Sequence, residues 1–212
     1  MNFFAHAVLA SERRGDSAFV LGAMLPDLCG FARVRLAGAP ASALGDGVRF
    51  HHASDAAFHA HRMFAARCAQ LAHALEARGV RRGPARGAAH VASELLLDGW
   101  LARETGVPAA YRAALAGATE LLRDDAIFEG ARGALRDVCA RIHASPLPEA
   151  YGDASFVCER TLRALAPRPF LALAAHELPA LEHAIASTAE GCAQWAPGVL
   201  DAVRSSLADA TR

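Results

Sequence analysis

Histidine and carboxylate residues at the spacing of a helical face are concentrated in one part of this chain. Six of its ten histidines fall within the 40 residues from His51 to His90. Two triads repeat at intervals of four residues: His51, Asp55 and His59, and then His90, Glu94 and Asp98. Positions four apart on an α-helix lie about 40° from one another around the axis, so each triad forms one polar stripe. Imidazole and carboxylate groups together bind manganese, iron or zinc, so the stripes predict a metal site.

The second stripe lies on an otherwise apolar segment. Leu95, Leu96 and Leu97 separate Glu94 from Asp98, so we expect this helix to be largely buried. A buried carboxylate needs a cation, an arginine or a hydrogen-bond network as its partner. A metal ion would meet that need. For Glu94, pairing with Arg86 or Arg103 is the alternative.

Two further polar residues stand in apolar surroundings. Asp27 follows Pro26 at the end of an apolar run, and His6 lies in the apolar segment that opens the chain. From the local sequence alone, Asp27 is interpreted as a helix N-cap. The local sequence likewise indicates that His6 is a histidine of the core.

The elements that must position these residues are helices. Apolar residues recur with the helical period along the chain, which predicts an all-α, single-domain bundle of about eight helices over residues 1–212. The metal-site motifs fall within residues 1–105. We predict helices over Phe3–Arg13, Ser17–Leu25, Val48–Arg78, Ala88–Glu104, Pro108–Arg123, Asp125–His143 and Ala154–Leu165, with the last ones starting after Pro169 and near Pro197.

Composition excludes several classes of partner. The 22 basic residues are all arginine and balance 22 acidic residues, so no overall field favours nucleic acid or an anionic membrane. The five cysteines are odd in number and include no CxxC pair, which is typical of a reducing compartment. No uncharged stretch reaches the roughly 20 residues needed to span a bilayer. We therefore expect a cytoplasmic protein, and the sequence does not indicate its oligomeric state.

The motifs resemble those of the acyl carrier protein phosphodiesterases, relatives of the HD-type phosphohydrolases that lack the HD dipeptide. Met1–His6 is similar to the family's MNFLAH-like opening, and Gly22–Leu28 to its Gly-x-Leu-x-Asp-Phe-like segment. Gly47–Asp55 is similar to a Gly-x-x-x-His-Arg-x-Ile-Asp segment. Glu94–Leu101 is similar to an Asp-x-x-x-Asp-His-Phe-Leu segment. The matches cover the first half of the chain in order.

This resemblance implies an HD-like helical fold and a divalent ion, manganese first, with zinc, iron and magnesium as alternatives. The ion would activate water against a phosphodiester, which in the family joins 4′-phosphopantetheine to acyl carrier protein. Spacing and motif position together suggest as metal ligands Asp27, His51, Asp55, Asp98, His90, Glu94 and His6. The catalytic candidates are Asp55, Asp98 and His52, and the phosphate-binding candidates are Arg49, Arg62 and Arg86.

Several positions depart from the family pattern. His52 replaces an arginine, Glu94 replaces an aspartate and Gly99 replaces a histidine. His59 stands where an acidic or polar residue is expected, and His90 has no counterpart in the family motifs. These changes affect groups expected to orient the substrate, so two alternatives stay open. One is a phosphohydrolase acting on a nucleotide or a phospholipid head group. The other is a non-catalytic helical binding protein whose polar stripes are hydrogen-bonded core networks.

Overall fold

The computed structural model of the chain describes residues 1–123, 128–129, 132–189 and 191–209. These residues are predominantly helical, which confirms the predicted all-α class. None of the helices in these ranges is both long enough and apolar enough to cross a membrane.

Eleven α-helices are present in the described part of the chain, more than the roughly eight predicted. They are α1 (Phe3–Arg13), α2 (Ser17–Ala32), α3 (Ala43–Ala60), α4 (Arg62–Glu76), α5 (Arg82–Thr105), α6 (Ala109–Ala116), α7 (Ala118–Leu121), α8 (Arg132–His143), α9 (Ala154–Leu165), α10 (Leu178–Ala189) and α11 (Cys192–Asp209). Two short 3₁₀ helices cover Glu149–Gly152 and Ala175–Glu177. Two strands of two residues each, β1 (Arg35–Leu36) and β2 (Phe128–Glu129), pair antiparallel.

The additional helices come from breaks inside segments that were predicted to be continuous. The segment predicted as Val48–Arg78 divides at His61, whose extended backbone ends α3. The ring of His61 accepts a hydrogen bond from the backbone N–H of Met63, so this side chain caps the start of α4. The segment predicted as Pro108–Arg123 divides at Gly117 into α6 and α7. The first part of the predicted helix Asp125–His143 lies outside the described residues.

Two prolines lie inside helices where the sequence predicted boundaries. Helix α2 does not stop at Pro26 but continues to Ala32, and Arg33 then adopts a left-handed conformation with φ 54°. A proline inside a helix costs about 3 kcal/mol, because it lacks an N–H and its ring crowds the preceding turn. The buried side chains of Leu25 and Leu28 on either side of Pro26 offset that cost. Pro197 likewise lies inside α11.

Helix α5 begins six residues earlier than predicted, at Arg82 rather than Ala88. Pro84 falls in its first turn. There the missing N–H costs nothing, because the first N–H groups of a helix have no partner within it.

The chain divides into two compact units. Unit 1 comprises Met1–Ala57, Thr105–Pro148 and Arg204–Arg212. Its centre is the apolar helix α2, which packs against α1, α6 and α8. On α1 every residue from Phe3 to Ala10 is buried, including a histidine, so this helix has no solvent-facing side over its first two turns.

Unit 2 comprises Phe58–Glu104 and Glu149–Val203. In it α10 packs against both α4 and α9. Helix α5 supplies much of the buried apolar surface, as its leucine-rich sequence predicted. The expectation that residues 1–212 form a single domain stays a prediction.

Candidate metal sites

Helices α2 and α3 approach one another so closely at two glycines that no side chain would fit between them. A Cβ atom on Gly22 would lie 2.0 Å from the carbonyl oxygen of Leu44, and one on Gly47 would lie 2.2 Å from that of Phe19. His51 follows Gly47 by four residues and therefore lies on the same face of α3. The glycine contact thus brings the His51 ring against the backbone of α2.

The hydrogen bonding of His51 determines which ring nitrogen carries the proton. Its Nδ1 lies 2.9 Å from the carbonyl oxygen of Ala23, which can only accept, so Nδ1 is the donor and Nε2 keeps its lone pair. The ring is 5% exposed. Burial, followed by the adjacent His6, lowers the pKa of His51 to about 3. The ring is therefore neutral at pH 7, the form in which imidazole binds a metal.

The tautomer of His6 is fixed in the same way, with a serine hydroxyl as the acceptor. Its Nδ1 lies 2.9 Å from Ser54 Oγ, and that hydroxyl donates its one proton to the carbonyl oxygen of His51 at 3.0 Å. Ser54 Oγ must therefore accept from His6 Nδ1–H, which leaves the lone pair of His6 on Nε2. The ring of His6 is fully buried and its centroid lies 3.9 Å from that of His51.

Asp27 completes a group that we call the unit 1 cluster: His6, Asp27 and His51. One ligand atom from each lies within 4.8 Å of the other two. Ligands on one ion with bonds of about 2.1 Å are about 3.0 to 4.2 Å apart, so a small movement of side chains would bring all three onto a common ion. Asp27 is a partly buried residue of α2 rather than the N-cap that its local sequence suggested.

Asp55 and His52 border the unit 1 cluster. Asp55 Oδ1 lies 3.6 Å from His6 Nε2 and accepts a hydrogen bond from the amino group of Met1 at 2.7 Å. The Asp55 side chain is 35% exposed, so the carboxylate also meets solvent. His52 is exposed, and its ring meets that of His51 edge-on at 5.4 Å.

A second group, which we call the unit 2 cluster, consists of His59, His90 and Glu94. One ligand atom from each again lies within 4.8 Å of the others. Glu94 Oε1 lies 3.1 Å from His90 Nε2 and 3.5 Å from His59 Nε2. The sequence predicted His59 in one stripe with His51 and Asp55. In the structure His59 instead belongs to unit 2, while the other two residues of that stripe lie in unit 1.

In the absence of a metal ion, hydrogen bonds and neighbouring charges determine the protonation of the unit 2 cluster. Hydrogen bonds to Cys68 and then to Glu94 raise the pKa of His90 to about 10, so the ring is cationic at neutral pH. Burial alone would raise the pKa of Glu94, but the hydrogen bond from His90 and several nearby positive charges, His90 and His59 among them, outweigh it, and the pKa is lowered. The two residues therefore form an imidazolium–carboxylate pair.

Asp98 lies one turn beyond Glu94 on α5 and is fully buried. It belongs to unit 2, whereas Asp27, His51 and Asp55 belong to unit 1, so its convergence with them stays a prediction. Packing explains why a glycine stands at position 99, next to Asp98. A Cβ atom there would lie 2.2 Å from the carbonyl oxygen of Tyr151, so the histidine of the family motif could not replace it without moving the backbone.

The arginines predicted to bind phosphate differ in their surroundings. The guanidinium of Arg49 donates to the carbonyl oxygens of Ala39 and Pro40 and to the carboxylate of Asp46, so it secures the loop before α3. Arg62 is exposed near the start of α4, and Arg86 is exposed on α5.

Sequence reasoning missed two contributors. Ser54, which orients His6, lies three residues after His51, and its small polar side chain between two site residues was the available signal. His59 is absent from the predicted metal ligands, because nothing in the sequence shows that His90 stacks on it at 5.1 Å.

Comparison with protein families, with curated proteins and with solved structures finds no match for this chain. The resemblance to the acyl carrier protein phosphodiesterases therefore stays a prediction from the motifs.

Proposed function

We propose that this protein is a metal-dependent phosphodiesterase whose divalent ion, manganese first, is held by His6, Asp27 and His51. The observation that carries this proposal is the pair of buried imidazoles whose Nδ1 protons are both committed to protein oxygens. A backbone carbonyl or hydroxyl behind a metal-binding histidine is the usual arrangement that holds its ring and tautomer in place.

The alternative of a hydrogen-bonded core network accounts less well for this geometry. The ligand atoms that His6, Asp27 and His51 offer lie within 4.8 Å of one another, and each binds an ion through an electron pair. Bringing such groups together in a poorly solvated place is unfavourable unless positive charge is added, and a divalent ion supplies it. The unit 1 cluster therefore fits a metal by the chemistry of its donors.

A divalent ion held there would polarise a phosphoryl oxygen and lower the pKa of bound water. The protein's own groups would provide the rest. Asp55, partly exposed beside His6, would hold at a carboxylate oxygen the proton that an attacking water gives up. His52, exposed next to His51, would protonate the departing oxygen from its ring. Both roles need contact with solvent or substrate, and both side chains have solvent access.

The HD-like fold and the 4′-phosphopantetheinyl acyl carrier protein substrate are further proposals, and they rest on the motif resemblance. The unit 1 cluster supports a divalent ion, whereas the phosphodiester and the groups on either side of it rest on the motif resemblance. A nucleotide or phospholipid head group therefore belongs in the same substrate panel.

The test is to measure metal content and diester hydrolysis together. Protein stripped with chelator and reloaded with manganese, zinc, iron or magnesium is assayed on bis(p-nitrophenyl) phosphate, on the corresponding monoester and on 4′-phosphopantetheinyl acyl carrier protein. We expect metal-dependent cleavage of a diester that His51→Ala abolishes together with one equivalent of bound metal. His73→Ala, an exposed histidine of α4, is the matched control and should keep both properties.

Two results would overturn the proposal. One is diester hydrolysis that survives His51→Ala at the wild-type rate. The other is a wild-type protein that hydrolyses no diester with any of the four metals while binding them through this cluster, which would favour the non-catalytic binding protein.

A further inference from the structure

The unit 2 cluster has the geometry of a metal site of its own. The rings of His59 and His90 stack almost parallel, with 8° between their planes and 5.1 Å between their centroids. Glu94 Oε1 lies next to both Nε2 atoms, at 3.1 Å from His90 and 3.5 Å from His59. In a tetrahedral site with bonds of about 2.0–2.1 Å, ligand atoms are about 3.3 Å apart. The two observed distances lie on either side of that value.

The donor types of the cluster indicate which ion it would hold. Two imidazoles and a carboxylate form a mixed nitrogen and oxygen set, which leaves the fourth position of a tetrahedral site to water. Such a set matches zinc and is a poor match for magnesium or calcium, which prefer oxygen ligands alone.

The surroundings also resemble those of a bound ion. The buried ring of Phe64 meets the rings of His59 and His90 edge-on, at 5.3 and 5.5 Å, and closes one side of the cluster. The side chain of His90 is 47% exposed on the other side, which leaves a path for an ion from solvent.

We propose that His59, His90 and Glu94 form a zinc site in unit 2. Binding replaces the proton that His90 shares with Glu94, so the imidazolium–carboxylate pair describes the metal-free form of the site. The ion would tie α5 to the end of α3, with three ligands from the protein and the fourth position left to water. The proposal does not depend on the phosphodiesterase assignment.

The experiment is to strip the full chain with chelator, reload it with zinc and count zinc per chain in wild type and variants. His90→Ala and Glu94→Gln should each lose one zinc equivalent relative to wild type. His73→Ala should lose none. His51→Ala probes the unit 1 cluster in the same series. The loss caused by His90→Ala is thus measured separately, whatever the first site holds.

Helical circular dichroism identifies any variant that fails to fold, and Glu94→Gln, which keeps the side-chain shape, guards against that outcome for His90→Ala. Equal zinc content in wild type, His90→Ala and Glu94→Gln would overturn the proposal.

Discussion

At the scale of single residues, Ser54 is the side chain that connects the two buried histidines. It accepts from His6 Nδ1–H and donates to the carbonyl oxygen of His51, so one hydroxyl determines the tautomer of His6. Residues that orient a metal ligand in this way raise the affinity of the site for the metal without contacting the ion.

Replacing Ser54 with alanine should therefore weaken metal binding at the unit 1 cluster about 10- to 100-fold, because the His6 ring loses its orienting partner. Competition with a chromophoric chelator measures this. Ser11→Ala is the control, since Ser11 donates to the carbonyl oxygen of Ala7 on the same unit and faces no cluster. An unchanged affinity in Ser54→Ala would exclude His6 as a ligand.

Glu177 is a second buried residue, and its hydrogen bonds predict how the stability of the protein depends on pH. Its carboxylate accepts hydrogen bonds from the backbone N–H groups of Arg81 and Ala174 and from the Arg81 guanidinium. The guanidinium bond, followed by the backbone bonds, lowers the pKa of Glu177 from 4.5 to about 2. Its stabilising effect is complete above the unfolded pKa of 4.5 and is lost as the pH falls through about 2.

Glu177→Gln should therefore cost about 2 kcal/mol of unfolding free energy at pH 6, with a smaller cost at pH 3. Urea unfolding at the two pH values measures both. Glu76→Gln, an exposed glutamate in the same unit, should change little at either pH. A cost for Glu177→Gln that grows as the pH falls would contradict the assignment of this carboxylate as ionised in the folded state.

At the scale of elements, the contact between α2 and α3 determines whether the unit 1 cluster can form. Gly22 and Gly47 meet with no room for a Cβ atom on either, and the backbone of α2 supplies the acceptor for His51. Separating the two helices would move His51 away from Ala23, and the proton of the His51 ring would no longer be held on Nδ1.

We expect Gly47→Ala to lower the unfolding free energy by about 1–3 kcal/mol, since the added methyl group meets backbone rather than a flexible side chain. The same variant should bind less metal at the unit 1 cluster. Gly30→Ala on α2, where a Cβ atom would meet nothing within 4 Å, should instead stabilise the protein by about 0.5–1 kcal/mol. Equal stability of Gly47→Ala and wild type in urea unfolding would show that the helices can separate at no cost.

At the scale of the whole molecule, the two clusters belong to different units of the chain. One draws on α1, α2 and α3, and the other on the end of α3 and on α5. They share no ligand, so a variant of one cluster leaves the ligands of the other in place.

Removing metal should therefore lower Tm, because ions that bind only the folded chain stabilise it by mass action. The contribution is about 2.7 kcal/mol for an ion present at 100 times its Kd. Scanning calorimetry with and without chelator measures the shift. The single variants His51→Ala and His90→Ala should each show part of the shift, and the double variant none. A wild-type Tm that is insensitive to chelator would contradict both metal proposals.

Local sequence was enough to predict the all-α class and part of the polar stripes. The periodicity of apolar residues predicted α1 and α9 with the bounds that the structure has, Phe3–Arg13 and Ala154–Leu165. The interval of four residues correctly indicated that His90 and Glu94 lie together on one helix face. Such features depend on residues within one or two turns, so local sequence specifies them.

The tertiary structure alone decided which residues share a site. It paired His6 with Ser54 across 48 positions and His51 with Ala23 across 28, and it assigned His59 to a different cluster from His51 although both lie on α3. It also carried α2 through Pro26, where local sequence indicated an end. The physical reason is that a helix period specifies a face but not the neighbour that covers it. That neighbour depends on packing between distant segments, such as the contact of Gly22 with Gly47 that seats His51 on α2.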